Sequence, residues 1–283
     1  MARIDGRAPA KVNLSLYLTG LRDDGYHLID SLVVFAEVGD DLSVSPAREL
    51  RLQVDGLFAK GVPTDAANLV LRAAEQLREM RGVTAGAAIR LTKNLPHGGG
   101  IGGGSSDAAC AIRLLSELWG CAPLTAQEAL PLGADVPVCL TAPRAMRMRG
   151  IGEVLTPAPM QPTGWLVLVN PGVGVPTGRV FDLHDRLNEF SSIGMDAPGT
   201  GRFADWLAQQ RNDLTPVACH PDIAPVVQDV LAALRGWSDI AEMSGSGSTC
   251  WGWFDAEETA TDCAAGIAAD HPDWWGRATR ILS

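Results

Sequence analysis

"LPHGGGIGGGSSDAACAIRLL" (Leu95–Leu115) decides how the rest of the chain is read. Six glycines fill the seven positions Gly98–Gly104, broken only by Ile101, and Ser105 and Ser106 follow. Behind them Ala108, Ala111, Ile112, Leu115, Leu118 and Trp119 recur at helical spacing, which predicts a helix over 106–119. Ordering this much glycine costs backbone entropy, so a plain turn would use less of it. Glycine lets backbone N–H groups approach an anion, and the first turn of a helix carries unpaired N–H donors and the positive end of the dipole. The stretch therefore reads as a phosphate cradle leading into a helix. Ser105 and Ser106 stand where they can cap that helix, bind phosphate oxygens or give an oxygen to Mg2+. Asp107 would repel phosphate, so it is expected to point away or toward the metal.

Other glycine loops fit less well. "GGGIGG" (Gly98–Gly103) matches G-x-G-x-x-G. The dinucleotide fingerprint also needs an acidic residue ending a strand roughly 20 residues later. "CAPLTAQE" (Cys121–Glu128) has no strand pattern before its acid. No Gly-Lys-Ser/Thr follows the loop, and neither H-R-D nor D-F-G occurs in the chain, so the P-loop and protein-kinase readings fail.

The totals narrow the classes further. A length of 283 residues suits one large domain or two ordinary ones, and 46% hydrophobic with 20% charged residues is the composition of a globular protein. A formal charge of -10 opposes general affinity for nucleic acid, while leaving room for a local site that takes a small anion. The six cysteines form no C-x-x-C pair and read as reduced core thiols; the five histidines are scattered, which argues against structural zinc. "VNLSLYLTGL" is interrupted by Asn13 and Ser15, unlike a signal peptide, and no apolar run reaches membrane-spanning length. A cytoplasmic protein with no membrane association is expected.

Along the chain, Val12, Leu14, Leu16 and Leu18 alternate as in a half-buried strand, and "DDGYH" (Asp23–His27) is a turn. "SLVVFAEV" and "DDLSVSP" read as two further strands, 67–82 as a helix stopped by Gly82, and "AAIRLTKNLP" as a strand ended by Pro96. "PLGADVPVCL" is a turn into a short apolar segment, "GWLVLVNPG" a buried strand, "IAPVVQDVLAALRG" a helix, and "SGSGSTCWGWF" a glycine-serine loop before an alternating strand. Strands and helices without regular βαβ repetition indicate α+β, with a boundary in the Pro/Gly-rich Gly150–Gly164.

Several residues stand out, each with an ordinary alternative. Asp135 in "GADVP" is either a turn or cap aspartate or a base. Lys11 is a solvated strand-edge charge or a site cation, and Asn13, two residues on, shares its strand face. Tyr26 and His27 are loop packing or ligand contacts. Asn68 and Lys93 need no ligand as a helix cap and a strand-end lysine. Ser244–Ser248 is a tight turn or a second backbone-rich loop.

"LPHGGGIGGGSSDAA" resembles the P-x-x-x-G-L-G-S-S-x-A phosphate loop of the GHMP kinase superfamily. "PAKVNLSLYLTGLRDDGYHLIDSL", "LGADVPV", "MSGSGS", "GIGEVLTP" and "NDLTPVA" extend the resemblance over nearly the whole chain, toward the branch acting on diphosphocytidyl methylerythritol in non-mevalonate isoprenoid synthesis. His97 stands where an apolar residue is commoner, and the segment from Trp119 to Leu132 is a few residues short. The resemblance implies an α+β two-domain fold. Residues 1–155 would be an ATP-binding domain like the second domain of ribosomal protein S5, and 156–283 a ferredoxin-like domain. It implies ATP and Mg2+ as cofactors, the tertiary 2-hydroxyl as acceptor, and no obligate protein partner. Asp135 would be the base and Lys11 the cation beside it. ATP would be held by Pro96, Gly98, Gly99, Gly100, Ile101, Gly102, Gly103, Gly104, Ser105 and Ser106, with Asn68 and Lys93 near adenine. Substrate would meet Asn13, Asp135, Ser244 and Gly245. Its cytosine would stack between Tyr26 and Phe181 and hydrogen-bond His27.

Overall fold

The computed structural model describes residues 3–187, 190, 194–196 and 201–282. Chain order is β1 (Ile4–Asn13), β2 (Tyr17–Leu21), β3 (His27–Ala47), β4 (Arg51–Asp55), α1 (Leu69–Arg81), β5 (Gly86–Thr92), α2 (Gly103–Trp119) and the short α3 (Ala126–Ala129) and α4 (Val136–Cys139). Then come β6 (Met146–Gly150), β7 (Val154–Pro157), β8 (Trp165–Asn170), α5 (Thr177–Leu187), α6 (Phe203–Leu207), α7 (Thr215–Ala218), α8 (Val226–Arg235), β9 (Ala241–Met243), β10 (Cys250–Phe254), α9 (Glu257–Asp270) and β11 (Trp275–Arg280). The chain forms two compact units, each built from three segments: Met1–Ala10, Gly39–His97 and Gly102–Ala142 in one, and Lys11–Val38, Gly98–Ile101 and Pro143–Ser283 in the other. Neither unit coincides with 1–155 or 156–283.

In the first unit, the second half of β3 pairs antiparallel with β5, and β4 pairs parallel with β5. Leu42, Val44, Ile89 and Leu91 from these strands meet Val70, Ala74 and Leu77 of α1 and Ala108, Ala111, Ile112 and Leu115 of α2. The helix residues recur every three or four positions, so one face of each helix enters the core. Asn68 starts α1: its side chain accepts from the Val70 N–H at 2.8 Å, and Gly82 ends the helix at φ 64°. That positive φ suits glycine, which has no Cβ to clash.

The second unit carries a four-stranded antiparallel sheet in the order β11-β8-β10-β9. With helices between β8 and β9 and between β10 and β11, this is the split βαββαβ, or ferredoxin-like, arrangement. Val167 and Val169 pack with Val227, Val230 and Leu231 of α8 and Ala260, Cys263 and Ile267 of α9. The first half of β3 pairs with β2 on one side and β6 on the other, and β6 pairs with β7.

Three expectations change. Residues 12–18 are not one strand: pairing breaks over Leu14–Leu16, where the Leu14 N–H bonds the Leu32 carbonyl and the Leu16 N–H the Arg211 carbonyl. Nor is the segment half-buried, since Asn13, Ser15 and Tyr17 are as buried as the leucines between them. The two strands expected after His27 are one 21-residue strand. Finally, α2 begins at Gly103 rather than Ser106, because Gly102 at φ 60° is its N-cap, so neither serine caps it. All six cysteines are free thiols, and among the described residues no helix is long and apolar enough to cross a membrane.

Candidate active site

The glycine run crosses the border of the two units, so its halves are described separately. In the first unit, the earliest intrahelical bond of α2 runs from the Ser106 N–H to the Gly102 carbonyl at 2.8 Å. The amides of Gly103, Gly104 and Ser105 are thus the unpaired donors of a 17-residue helix. A Cβ built on Gly104 meets nothing within 4 Å, so there is open space beside them. Ser105 is half-buried, and its hydroxyl has no hydrogen-bond partner among the described residues. The buried Ser106 donates to the Pro9 carbonyl at 2.7 Å, so its proton is engaged and only its oxygen lone pairs remain.

Beneath the start of α2 lies a buried triad. The Lys93 ammonium, 3% exposed, bonds Asp40 and, at 2.7 Å, Asp107. Asp40 also accepts from the Asn94 and Leu95 N–H groups at 2.5 and 2.8 Å. A Cβ on Gly103 would stand 3.5 Å from the Lys93 Nζ. Burial would lower the Lys93 pKa, but Asp107 and Asp40 together hold it above its ordinary value. Burial pushes the Asp107 carboxyl up to about 8, against the pull of Lys93 and with the repulsion of Asp40. Lys93, expected near adenine, is engaged by both carboxylates, and Asp107 turns into this triad, away from phosphate as expected. Asn68 is likewise engaged at both ends of its amide, accepting from Val70 and donating to the Pro63 carbonyl at 2.7 Å. Asp135 is half-buried just before α4, and its side chain makes no capping hydrogen bond to that turn.

The second unit brings together two loops that looked unrelated. The Ser244 hydroxyl donates to the Gly100 carbonyl at 2.9 Å, and the Thr249 N–H to the Gly99 carbonyl at 3.0 Å. Gly100 has φ +75°, and a Cβ there would fall 2.2 Å from the Ser244 carbonyl oxygen, so only glycine fits. Lys11 is 3% exposed, which removes the solvated-edge reading, and its N–H bonds the Ile101 carbonyl at 3.0 Å. The Asn13 N–H reaches the Ser244 Oγ at 3.0 Å, so the "PAKVNL" strand, the Gly98–Ile101 stretch and the serine loop are one assembly. Pattern reading missed its framing residue. Asn212 donates to the Met243 and Gly245 carbonyls, both at 2.8 Å, and accepts from the Leu214 N–H at 3.0 Å. The "NDLTPVA" stretch was its only signal.

Phe181, on α5, has the His27 ring beside it at 4.5 Å, tilted 34°. His27 Nε2 also bonds Asp185 Oδ1 at 2.7 Å, a partner that no motif announced. Tyr26 is 58% exposed on its turn, with Arg22 6.0 Å above its ring, and no contact to Phe181 occurs among the described residues. Phe181 and His27 are thus neighbours, whereas two rings holding a base between them would not touch each other.

The GHMP kinases N terminal domain family matches residues 68–142, the span from the α1 cap through α4. The chain is 31% identical to a solved 4-(cytidine 5'-diphospho)-2C-methyl-D-erythritol kinase, at a TM-score of 0.79 over 99% of this chain and 100% of that one. A homoserine kinase from Cytophaga hutchinsonii matches at 16% identity and a TM-score of 0.69, over 100% of this chain and 96% of that one, which shows the shared fold alone. Fold and loops thus define a GHMP kinase. Proteins named 4-diphosphocytidyl-2-C-methyl-D-erythritol kinase from Paramagnetospirillum magneticum and Jannaschia sp. are 52% and 50% identical. The first alignment covers 98% of both chains, the second 97% of this chain and 96% of the other. The chain belongs to that kinase family.

Proposed function

We propose that this chain transfers the γ-phosphoryl group of ATP to the 2-hydroxyl of 4-diphosphocytidyl-2-C-methyl-D-erythritol, in non-mevalonate isoprenoid synthesis. The observation that carries this reading is full-length identity of 52% to a kinase of that name. The local chemistry supports it. Phosphoryl transfer needs charge stabilisation and positioning more than covalent chemistry. The open amides of Gly103, Gly104 and Ser105 suit phosphate oxygens. Asp135 accepts the hydroxyl proton, and Lys11 favours its ionised form. Asn13, Ser244 and Gly245 hold the alcohol end, and Tyr26, His27 and Phe181 hold the cytosine.

Mg2+ takes oxygen ligands and often uses substrate phosphates with few protein groups. No cluster of three or more His, Cys, Asp or Glu that could hold a metal occurs among the described residues, which fits such a site. Ser105 is the side chain that would hold the ion, which supplies neutralisation of the phosphate charge. The division at 155/156 separates the matched 68–142 segment from the ferredoxin-like strands, and we keep it as the proposed border between the nucleotide half and the second half. Six free thiols favour a reducing compartment, so the cytoplasm is the proposed location. A charge of -10 favours small-molecule partners over nucleic acid.

The test is ATP consumption with the diphosphocytidyl alcohol beside mevalonate, homoserine and galactose. Turnover confined to the first supports the reading, and turnover of another alcohol in its place overturns it.

A further inference from the structure

An asparagine amide has two ends of nearly equal shape and opposite hydrogen-bond polarity, so a site that uses one must fix which end faces the ligand. Asn13 is 1% exposed. Its Nδ2 donates to the Ser31 Oγ at 2.7 Å, and its Oδ1 is buried with no hydrogen-bond partner among the described residues. Ser31 lies on β3 and is fully buried. Its hydroxyl has one proton, and a carbonyl oxygen, that of Ser15, lies 2.5 Å away. A carbonyl only accepts, so the proton goes there, and Ser31 offers Asn13 lone pairs alone. The amide must then turn its NH2 toward Ser31. The Ser15 hydroxyl holds the neighbouring backbone in place by accepting from the Leu32 N–H at 3.1 Å.

This leaves Oδ1 facing the serine loop. A Cβ on Gly245 would come within 3.5 Å of Oδ1 and within 2.9 Å of the Gly100 carbonyl, so the bare glycine keeps the approach to that oxygen clear. A buried, unpaired amide oxygen is costly unless a ligand donor meets it.

We infer that Ser31 is a positioning residue: through the Ser15 carbonyl it locks the Asn13 amide so that the site presents an acceptor, and the ligand group met there must be a hydrogen-bond donor. Resting on the function proposed above, that donor is one of the other free hydroxyls of the alcohol substrate, because the single proton of the 2-hydroxyl goes to Asp135. Ser31 orients one group and touches no reacting atom. The lock selects an alcohol over its deoxy analogue before any chemistry occurs.

Two measurements test this. The first needs no substrate: nitrogen-resolved NMR of the Asn13 side-chain amide in the folded wild-type chain. Slow exchange of its NH2 protons is expected. Exchange as fast as that of an exposed asparagine overturns the lock, whatever the enzyme acts on. The second is calorimetric binding of the diphosphocytidyl alcohol and of its analogues lacking the 1- or the 3-hydroxyl to wild type, Ser31→Ala and Ser31→Thr. An unpaired buried acceptor predicts a wild-type preference for the alcohol over one of these analogues of about 5- to 150-fold. Ser31→Ala frees the amide to flip, so that preference falls below about threefold while ATP affinity is unchanged, and Ser31→Thr restores it. An unchanged preference in folded Ser31→Ala, or none in wild type, overturns the inference. Absence of turnover on the alcohol, with the slow amide exchange intact, overturns the function and leaves the lock standing.

Discussion

The two units support their loops by opposite means. Under the start of α2, the first uses charge: an ammonium between two buried carboxylates. Around the serine loop, the second uses neutral groups: Asn13, Ser31, Ser244 and Asn212 pass hydrogen bonds among amides, hydroxyls and carbonyls. Buried charges pay heavily in desolvation, and removing one member leaves the others uncompensated. A satisfied neutral network loses less on burial and still fixes geometry. The charged support lies below a helix end suited to phosphate, whereas the neutral one surrounds an unpaired acceptor suited to an uncharged alcohol. What each foundation is made of follows the ligand it would serve.

The largest effect is expected where the charged unit acts rather than supports. Asp135→Asn keeps shape and removes the proton acceptor, so kcat falls about 10²–10⁴-fold with both ligands still bound. Steady-state kinetics with binding measurements check this, and more than half the turnover surviving would return Asp135 to a turn residue. Next is the foundation itself. Lys93→Met leaves Asp40 and Asp107 buried without their cation and lowers unfolding free energy by about 3–5 kcal/mol. Denaturant titration reads this, and a loss under 1 kcal/mol, a level typical of exposed ion pairs, would mean the triad is solvated.

The neutral side should be milder. Asn212→Ala strands the Met243 and Gly245 carbonyls and the Leu214 N–H, for a loss of about 1–3 kcal/mol that added salt barely changes. Strong salt dependence there would erase the contrast between the units.

The last effect is read as a slope against pH rather than at one pH. The folded Asp107 pKa, about 8, lies above its ordinary 3.8. The stability it contributes is therefore full below about pH 4 and is lost as pH rises through about 8. The difference between wild type and Asp107→Asn should shrink over that window by at most about 1.4 kcal/mol per pH unit, followed by unfolding at stepped pH. A flat difference would show the carboxyl ionised throughout.

Much of this architecture was legible in residue pattern. The α1 cap at Asn68 and stop at Gly82 follow from local rules, and so does the α2 stripe through Leu115. The glycine loop pointed at a helix end, but not at which residue opened it. Gly102 could cap in the left-handed region, and nothing in the residue string separates that from a serine cap. Lys93 shows why site reading ran short. Its partners lie 53 and 14 residues away, and no periodicity connects them. Tyr26 and His27 shared a motif, yet only His27 meets Phe181, because adjacent side chains on a turn point in different directions. Ser31 and Asp185 carried no signal at all, since a serine in a strand and an aspartate in a helix are ordinary there.

The latch from Ser244 to Gly100 joins residues 144 apart. Closing so long a loop is entropically demanding, and nothing local rewards it. During synthesis the glycine run leaves the ribosome well before the serine loop that holds Gly99 and Gly100. Until Ser244 has been added, Gly100 lacks its bond to the loop and the Asn13 backbone N–H lacks the hydroxyl it donates to, and until Thr249 has been added, Gly99 lacks its own. A chain cut short of that point can complete the helices of its first unit and still lack this assembly, so binding competence should trail helix formation during translation.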